Sequence, residues 1–231
     1  MIPKQIYYIW FGNNPKPQAV LDCIHSWETF APDYEIVEVN ESNFDLEVDA
    51  FIHEAYDAKK WAFASDMARL KVLNEKGGIY FDTDLELIKP IADVLNNQKS
   101  VWTLEAADAI DVGQMIAVAP HDQHVGALLE IYQGMHFDVN KQKYLIITKI
   151  VTKYFLQHGF IKRNRTQVLP DALILNSNFF APYHWWGGGH ITAETHGIHH
   201  YSGTWQDAHN PIFGRIKWIL LYLRQTLRNR K

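Results

Sequence analysis

Two carboxylates, Asp82 and Asp84, follow directly after the apolar run of residues 79–81. Side chains alternate along an extended chain, so residues two apart project from the same side. Paired carboxylates repel each other unless a cation lies between them, and a divalent cation with oxygen ligands suits such a pair. Glu86 would add a third acid if the strand continued. The alternative is a solvated acidic turn, but ligands in open α/β sheets bind beyond the carboxyl ends of strands, which favours a cation site.

A helix is predicted directly before this strand. Its apolar residues recur at helical spacing and would form one buried stripe: Phe63, Met67, Leu70 and Leu73. Gly77 and Gly78 end the helix, since a left-handed cap suits a residue without Cβ. Asp66 and Arg69 share a helix face because residues at this spacing are neighbours. They form either a surface ion pair or a sugar-binding pair, in which the carboxylate accepts from hydroxyl groups and the guanidinium donates to oxygens.

Together, the two segments resemble a known family. The run S-D-x-x-R at residues 65–69 and the run G-G-I-Y-x-D-x-D at residues 77–84 resemble the sugar-nucleotide site of glycosyltransferase family 32. They also resemble the catalytic domains of the related clostridial glucosylating toxins. The resemblance implies a GT-A fold, a Rossmann-like α/β domain with a mostly parallel central sheet flanked by helices. It further implies retention of configuration at the anomeric carbon.

The same resemblance implies roles for residues of both segments. Asp82 and Asp84 would hold a divalent ion, Mn²⁺ or Mg²⁺, and through it the diphosphate of a nucleotide-sugar donor. Asp66 and Arg69 would orient the sugar, and Tyr80 would contribute to the donor site. We therefore expect catalysis to depend on the two aspartates of the D-x-D run and on the helical pair before it.

Trp10 lies near the end of the predicted first strand, residues 5–10. An aromatic side chain there could stack on a nucleobase or pack into the core. The element I-W-F-G at residues 9–12 resembles the opening motif of the family, whose loop holds the base. The resemblance therefore implies that Trp10 binds the base of the nucleotide.

A histidine cluster precedes a Thr-Trp pair near the end of the chain. The run H-H-x-x-x-T-W resembles the family's C-terminal His…Ser-Trp motif, which closes on the diphosphate and completes the metal shell. It implies that Thr204 and Trp205 donate to phosphate, with Thr204 standing where the family usually has Ser. Spacing favours His200 over His199 as the metal ligand. Without the family, His196 and His199 could be zinc ligands, but no full ligand set is evident.

Length and composition fit one α/β domain of ordinary size. The chain has 231 residues, of which 47% are hydrophobic and 21% charged, so a packed core is expected. The net charge of −4 argues against broad nucleic-acid binding. The single cysteine, Cys23, rules out an internal disulfide framework and fits a reducing compartment. With no apolar run long enough to span a membrane and no evident signal peptide, we expect a soluble cytoplasmic protein.

Strand and helix patterns alternate along the chain, which predicts a largely parallel sheet. Strands are predicted at residues 5–10, 34–39, 79–81, 100–104, 115–118 and 168–175. Helices are predicted at residues 18–30, 41–56, 63–76, 125–134 and 144–158. A polar loop is predicted from Glu105 to Asp111, where these two acids are candidates for binding acceptor hydroxyl groups.

Two further segments have a distinctive composition. Residues 183–190 (Y-H-W-W-G-G-G-H) predict either a mobile aromatic lid over the site or a plain irregular loop. Residues 210–231 contain basic and apolar residues at helical spacing and no acid. This pattern predicts a basic amphipathic helix that lies on an anionic membrane or packs on the domain. We therefore expect a glycosyltransferase domain at residues 1–209 followed by this helix.

The function predicted from these segments is glycosyl transfer. A retaining enzyme would move a hexose from a UDP-sugar of the galactose, N-acetylgalactosamine or glucose type to a hydroxyl of a glycan or lipid-linked acceptor. Surface-polysaccharide synthesis at the inner face of the cell membrane would suit the basic tail. Two alternatives are a phosphatase of the haloacid dehalogenase type, with the first aspartate as nucleophile, and a non-catalytic sugar-binding module.

Overall fold

The computed structural model describes residues 1–95, 97–185 and 187–202. Thr204, Trp205 and the predicted C-terminal helix of residues 210–231 lie outside the described residues, as does Trp186 in the predicted lid. Within the described ranges, no helix is both long enough and apolar enough to cross a bilayer.

The described chain contains both strands and helices. The strands are β1 Gln5–Ile9, β2 Glu35–Val39, β3 Gly78–Tyr80, β4 Leu85–Leu87, β5 Ser100–Ala106, β6 Ala109–Val118, β7 Gln167–Val168, β8 Leu173–Leu175 and β9 Gly197–His199. The α-helices are α1 Gln18–Phe30, α2 Ala50–Asp57, α3 Trp61–Lys76, α4 Ala92–Leu95, α5 Gln123–Tyr132 and α6 Ile147–Gln157. Short 3₁₀ helices occur at Leu46–Val48, Val139–Tyr144 and Ser177–Phe179.

A seven-stranded sheet with the order β2-β1-β3-β6-β5-β8-β7 forms the centre of the fold. Pairing is parallel for β1 with β2, β1 with β3, and β5 with β8. It is antiparallel for β3 with β6, β5 with β6, and β7 with β8. A second, two-stranded antiparallel sheet joins β4 to β9. The predicted α/β class, with a central sheet flanked by helices, is confirmed.

Two apolar cores lie on opposite faces of this sheet. The residues of β1 show this arrangement, since successive residues belong to different cores. Tyr7 packs in the core that contains α3, α5 and α6, whereas Ile6 packs in the core that contains α1. The predicted α3 stripe is confirmed as buried in the first core: Phe63, Met67, Leu70 and Leu73. In the second core, the buried Trp27 donates its indole N–H to the Leu85 carbonyl at 2.7 Å, which ties α1 to the start of β4.

Two sequence-based predictions of local structure are wrong. The predicted helix at 41–56 is divided, because the Asp45 and Asp49 carboxylates each accept a backbone N–H two residues on and so begin separate helices. Val48, between the two helices, is 49% exposed. The predicted loop of residues 105–111 is instead the tip of a long β5–β6 hairpin.

Strand β6 leaves its ladder with β5 over residues 112–115. Thr103 lies opposite Asp111, and the preceding residue, Trp102, lies opposite Ile116, so four residues of β6 have no counterpart in β5. Bulges of this kind re-aim side chains and are frequent next to active sites. The buried hydroxyl of Thr103 lies 3.2 Å from the carbonyl oxygen of Asp111, at one end of this β6 bulge.

The Gly77–Gly78 pair ends α3 as predicted and starts β3. Both residues have positive φ, 63° and 109° respectively, a region that side chains disfavour. A Cβ on Gly78 would lie 2.9 Å from the carbonyl oxygen of Gln5 on the neighbouring strand. The pair therefore lets the chain turn sharply from helix to strand while β3 packs against β1.

We predict opposite effects on stability for two glycine substitutions. Gly78→Ala should lower the free energy of unfolding by more than about 1 kcal/mol, because the new side chain is strained and meets the Gln5 carbonyl. Gly126→Ala, in helix α5, should raise it by roughly 0.5–1 kcal/mol, because alanine is the better helix former. The nearest atom to a Cβ at Gly126 is 3.8 Å away. Urea unfolding of both variants checks the prediction, and effects of the same sign would contradict it.

Candidate active site

The two aspartates of the D-x-D run lie in a turn between strands. Strand β3 ends at Tyr80, and the backbone N–H of Leu85 donates to the Asp82 carbonyl at 3.0 Å, which closes the turn before β4. The backbone N–H of Asp82 donates to the carbonyl of Gly113 in the β6 bulge at 2.7 Å. Because β4 belongs to the second sheet, the strand does not continue to Glu86 as the sequence analysis considered.

A cluster that could hold a metal ion, called the metal-type cluster below, consists of Asp82, Asp84 and His199. Each offers one ligand atom, and these atoms all lie within 4.8 Å of one another. His199 Nε2 lies 3.1 Å from Asp84 Oδ1, and the backbone N–H of Ser202 donates to Asp84 Oδ2 at 2.8 Å. Carboxylate oxygens suit Mg²⁺ and Mn²⁺, and an imidazole nitrogen is a common additional ligand. The donor set therefore fits the divalent ion that the sequence predicts.

His199, rather than His200, faces the aspartates, which corrects the choice made from spacing. Strand β9 pairs with β4 so that His199 lies opposite Leu85. His200 comes directly after that strand and turns away, with its Nε2 2.9 Å from Glu86 Oε2. Both of these side chains are more than 40% exposed, and neither joins the metal-type cluster.

Arg69 is buried and connects the predicted sugar-binding pair to the D-x-D run. Its Nη2 lies 2.8 Å from Asp66 Oδ1 and 3.3 Å from Asp82 Oδ1. The guanidinium carbon lies 4.4 Å from the centre of the Tyr80 ring, and the Tyr80 hydroxyl donates to Asp82 Oδ1 at 2.8 Å. Asp66 and Arg69 are therefore part of a buried network, and not the surface ion pair that was the alternative.

The charges of this network shift the pKa values of its members. Burial raises the pKa of Asp66 to about 7, although the Arg69 guanidinium opposes the rise. Burial likewise raises the pKa of Asp82, again against the effect of Arg69. Asp66 and Asp82 are thus harder to ionise than ordinary aspartates, because they are buried and because other acids lie close by.

The pKa values of Asp84 and His199 shift in the directions expected of an ion pair. Burial disfavours charge on Asp84, but the hydrogen bonds from His199 and Ser202 outweigh it and hold the Asp84 pKa well below its usual range. Burial also opposes charge on His199, but the adjacent Asp84 raises the His199 pKa overall, to about 9. Asp84 is therefore the permanently negative member of the cluster, which is the property required of a metal ligand.

Gly113, in the β6 bulge, is a functional position that the sequence analysis missed. A Cβ at Gly113 would overlap Asp82 Oδ2 and lie 2.9 Å from Asp82 Cγ. Its backbone N–H donates to Asp111 Oδ1 at 3.0 Å. A glycine inside a strand pattern signals a close approach of another group, and that signal was present in the sequence. The Asp82 carboxylate occupies the space that any other side chain at Gly113 would fill.

The loop after β1 is held by contacts that the sequence did not reveal. Gly12 has φ 96°, and its N–H donates to Glu41 Oε1 at 2.6 Å. A Cβ at Gly12 would lie 2.6 Å from the ring of Trp61. The predicted base-stacking residue, Trp10, is half-buried at the end of β1, with its indole N–H donating to the Asn14 carbonyl at 2.7 Å.

Other candidates of the sequence analysis lie at different distances from the cluster. Asp111 Oδ2 lies 3.7 Å from His199 Nδ1, so this acid adjoins the cluster. His196 instead stacks on Phe179, with ring centroids 5.8 Å apart, and does not join His199 in a ligand set. In the predicted lid, a bridge pairs Tyr183 with Gly189 and closes an irregular loop.

Comparisons with known proteins agree with the geometry. Residues 17–102 match the family model described as a glycosyltransferase sugar-binding region containing a DXD motif. No curated protein sequence matches the chain. The solved structure of the PaToxG glycosyltransferase is 20% identical, covers 68% of this chain and 69% of its own, and has a TM-score of 0.52. That likeness shows the shared GT-A fold.

Two further solved structures are more distant. A glycosyltransferase involved in glycosylation of the major capsid of PBCV-1 is 10% identical, covers 85% of this chain and 94% of its own, and has a TM-score of 0.41. The galactosyltransferase LgtC, in complex with donor and acceptor sugar analogs, is 11% identical, covers 76% of this chain and 74% of its own, and has a TM-score of 0.43. The matched region of this chain contains both Asp82 and Asp84 as well as Asp66 and Arg69, so over residues 17–102 the chain is similar to glycosyltransferases that contain a DXD motif.

Proposed function

We propose that this protein is a metal-dependent, retaining hexosyltransferase that uses a UDP-sugar of the galactose, N-acetylgalactosamine or glucose type. The observation that carries the proposal is the convergence of Asp82, Asp84 and His199 beside the buried Asp66–Arg69 pair. The cluster of Asp82, Asp84 and His199 suits a cation with a diphosphate, and the Asp66–Arg69 pair suits the hydroxyl groups of a sugar. The family match favours transfer over the phosphatase and sugar-binding alternatives.

The metal-type cluster would stabilise the leaving group. Breaking the bond between the anomeric carbon and the diphosphate places negative charge on the leaving phosphate. A Mn²⁺ or Mg²⁺ ion held by Asp82, Asp84 and His199 would supply Lewis-acid stabilisation of that charge. The backbone N–H of Ser202 fixes the Asp84 carboxylate before any ligand binds. The His199 ring, which pairs with Asp84 in the absence of an ion, would lose its proton when it ligates one.

The buried Asp66–Arg69 pair would orient the donor sugar. Arg69 is held by Asp66, Asp82 and the face of Tyr80, so its guanidinium has one fixed position. Asp66 Oδ1 is engaged by this guanidinium, and its other carboxylate oxygen can accept from a sugar hydroxyl. Fixed positioning of the anomeric carbon relative to its leaving group lowers the entropic part of the barrier.

Further contacts follow from the family resemblance. Trp10 would stack on the uracil, and such a contact contributes about 1–3 kcal/mol in nucleic-acid systems. Thr204 and Trp205 would donate to the diphosphate. For a retaining reaction, the leaving phosphate would take the acceptor's proton on the same face of the sugar, so no protein nucleophile is required.

Asp84→Asn should abolish metal-dependent nucleotide binding and lower the rate of donor turnover by at least about 100-fold, since a neutral amide is a poor ligand for a divalent ion. Calorimetric titration with UDP, with and without Mn²⁺, measures binding, and chromatography of released UDP measures turnover. Asp93→Asn, at an exposed position on α4, is the matched control and should behave as wild type. Turnover by Asp84→Asn at the wild-type rate would refute the metal role.

Gly113→Ala should also reduce activity strongly, because the added methyl group displaces the Asp82 carboxylate. A rate loss of about 100-fold is expected from a displacement of this size near the reacting atoms. Gly126→Ala adds the same methyl group on α5, where the nearest atom to the new Cβ is 3.8 Å away, and should keep wild-type activity. If Gly113→Ala retained both the wild-type rate and the wild-type affinity for Mn²⁺ and UDP, the steric role of Gly113 would be wrong.

We also propose that residues 210–231 bring the enzyme to an anionic membrane, where a lipid-linked glycan in surface-polysaccharide synthesis would be the acceptor. The support is the sequence alone: six basic residues and no acid in this segment. This proposal places the enzyme in the cytoplasm, at the inner face of the membrane.

Full-length protein should co-sediment with vesicles that contain anionic lipid and not with purely zwitterionic vesicles. Replacing Arg215, Lys217, Arg224 and Arg228 with glutamine should reduce binding steeply, since each basic residue near such a surface contributes about 1 kcal/mol. Equal, negligible sedimentation of the two proteins with anionic vesicles would remove the membrane proposal and leave the proposed transfer chemistry intact.

A further inference from the structure

Positive charge is concentrated on one part of the protein surface, formed by residues 139–170. This segment contains seven of the chain's 22 Lys and Arg residues and none of its 26 Asp and Glu residues, although the whole chain has a net charge of −4. Lys141 pairs with Asp138 at 3.2 Å. The other six cations are exposed and form no ion pair with an acid among the described residues: Lys143, Lys149, Lys153, Lys162, Arg163 and Arg165. Exposed cations without acidic partners suit an anionic binding partner.

The exposed side chains of residues 143–168, called the basic face below, are centred on helix α6. Lys149, Lys153 and Leu156 lie three or four residues apart, so they share one side of the helix, and all three are exposed. The opposite side of α6, with Val151 and Phe155, is buried in the first core. The helix therefore lies along the surface with its charged side outward.

Contacts at both ends of α6 extend this side of the helix into one surface. At the start of the helix, Lys149 Nζ donates to the Lys143 carbonyl at 3.0 Å. Beyond its end, Nε2 of the buried Gln167 in β7 donates to the carbonyls of Ile161 at 2.9 Å and Arg163 at 3.3 Å. Gln167 Oε1 accepts the backbone N–H of Ile161 at 2.9 Å. The loop between α6 and β7 is thus fastened to the sheet edge, and its cations have defined positions beside the helix.

Large apolar side chains are exposed among these cations. Eleven such side chains are exposed in the described chain, and five of them lie within 32 residues: Val139, Tyr144, Leu156, Ile161 and Val168. Val168 is 84% exposed and Tyr144 68%. A soluble polyanion would need the cations alone. A bilayer that contains anionic lipid matches both features, because its head groups attract Lys and Arg and its acyl boundary takes up apolar side chains.

We propose that the basic face is a membrane-docking surface, with its cations at anionic lipid head groups and Tyr144, Ile161 and Val168 inserted between them. The basic face belongs to the described domain and shares no residue with the segment 210–231, so either surface can bind without the other. It also contains none of the residues assigned to the transfer chemistry, and it does not depend on that chemistry.

Docking through α6 would orient the candidate active site relative to the bilayer. On the inner side of the helix, Thr152 Oγ1 accepts the backbone N–H of Ile110 at 2.9 Å. The tip of the β5–β6 hairpin is thereby attached to the docking helix, and β6 carries the bulge that contains Gly113. A single flexible attachment would leave the distance between the bilayer and the site variable, whereas a docked domain surface fixes it.

Vesicle binding by full-length proteins tests the basic face. Every protein in the series has residues 215, 217, 224 and 228 replaced by glutamine, so that the remaining binding reports the domain, and the reference protein has no other change. The charge variant adds Lys153→Gln, Lys162→Gln and Arg165→Gln. The matched control removes the same number of exposed cations outside the basic face: Lys4→Gln, Lys76→Gln and Lys99→Gln. The apolar variant adds Tyr144→Ser and Val168→Ser and keeps the charge.

Affinity is measured by co-sedimentation with phosphatidylserine-containing vesicles and with purely zwitterionic vesicles. The reference protein should bind only the anionic vesicles. The charge variant should lose about fivefold in affinity per cation, or on the order of 100-fold in total, whereas the control should lose less than about threefold. The apolar variant should lose about tenfold for vesicles and bind heparin, a soluble polyanion, as the reference does.

Four outcomes overturn the docking surface. They are no binding of the reference protein to anionic vesicles, equal affinities of the reference and the charge variant, equal losses in the charge variant and the control, and full vesicle binding by the apolar variant. Reference protein that binds heparin and no vesicle would assign the cations to a soluble polyanion instead. Donor hydrolysis without vesicles should be the same in all four proteins, and its absence from all of them would contradict the proposed transfer chemistry alone.

Discussion

The structure of the site is governed by repulsion among acidic side chains that are crowded together without enough positive charge. Asp66, Asp82, Asp84 and Asp111 surround one buried guanidinium, Arg69, and one imidazole, His199. The raised pKa values of Asp66 and Asp82 express this crowding, because burial and neighbouring acids both disfavour their ionised forms. A divalent cation bound between these carboxylates would relieve the repulsion. The same cation would stabilise the negative charge of a leaving diphosphate.

This constraint explains why so much local structure is irregular around the cluster. The chain turns immediately after β3, and the β6 bulge leaves the ladder for four residues. Position 113 is a glycine, and the absence of a side chain there leaves room for the Asp82 carboxylate. Backbone N–H groups of the same segments are directed at carboxylates, as Ser202 is at Asp84 and Gly113 is at Asp111. The regular part of the fold, with buried stripes on α3 and alternating residues on β1, supplies the rigidity that holds these irregular segments.

The sequence predicted the parts of the protein that depend on local pattern. Helices α1 and α3, the glycine pair after α3 and the strand before the D-x-D run follow from periodicity and turn chemistry, and the structure has them within a few residues. Asp82 and Asp84 were recognised from type and spacing. The contacts that depend on distant segments were not predictable in this way. Whether His199 or His200 faces the aspartates is set by the register of β9 on β4. A glycine at position 113 signals a close approach, but the group that approaches it, the Asp82 carboxylate, is set by the packing of the β6 bulge against the turn after β3.

The most direct test of the account is a crystal structure of the protein grown with Mn²⁺ and UDP, with anomalous data collected at the manganese edge. We expect a manganese peak within coordination distance of Asp82, Asp84 and His199, bridged to the diphosphate of UDP. Carboxylates that point into solvent, with no peak between them and the nucleotide bound elsewhere or absent, would contradict it.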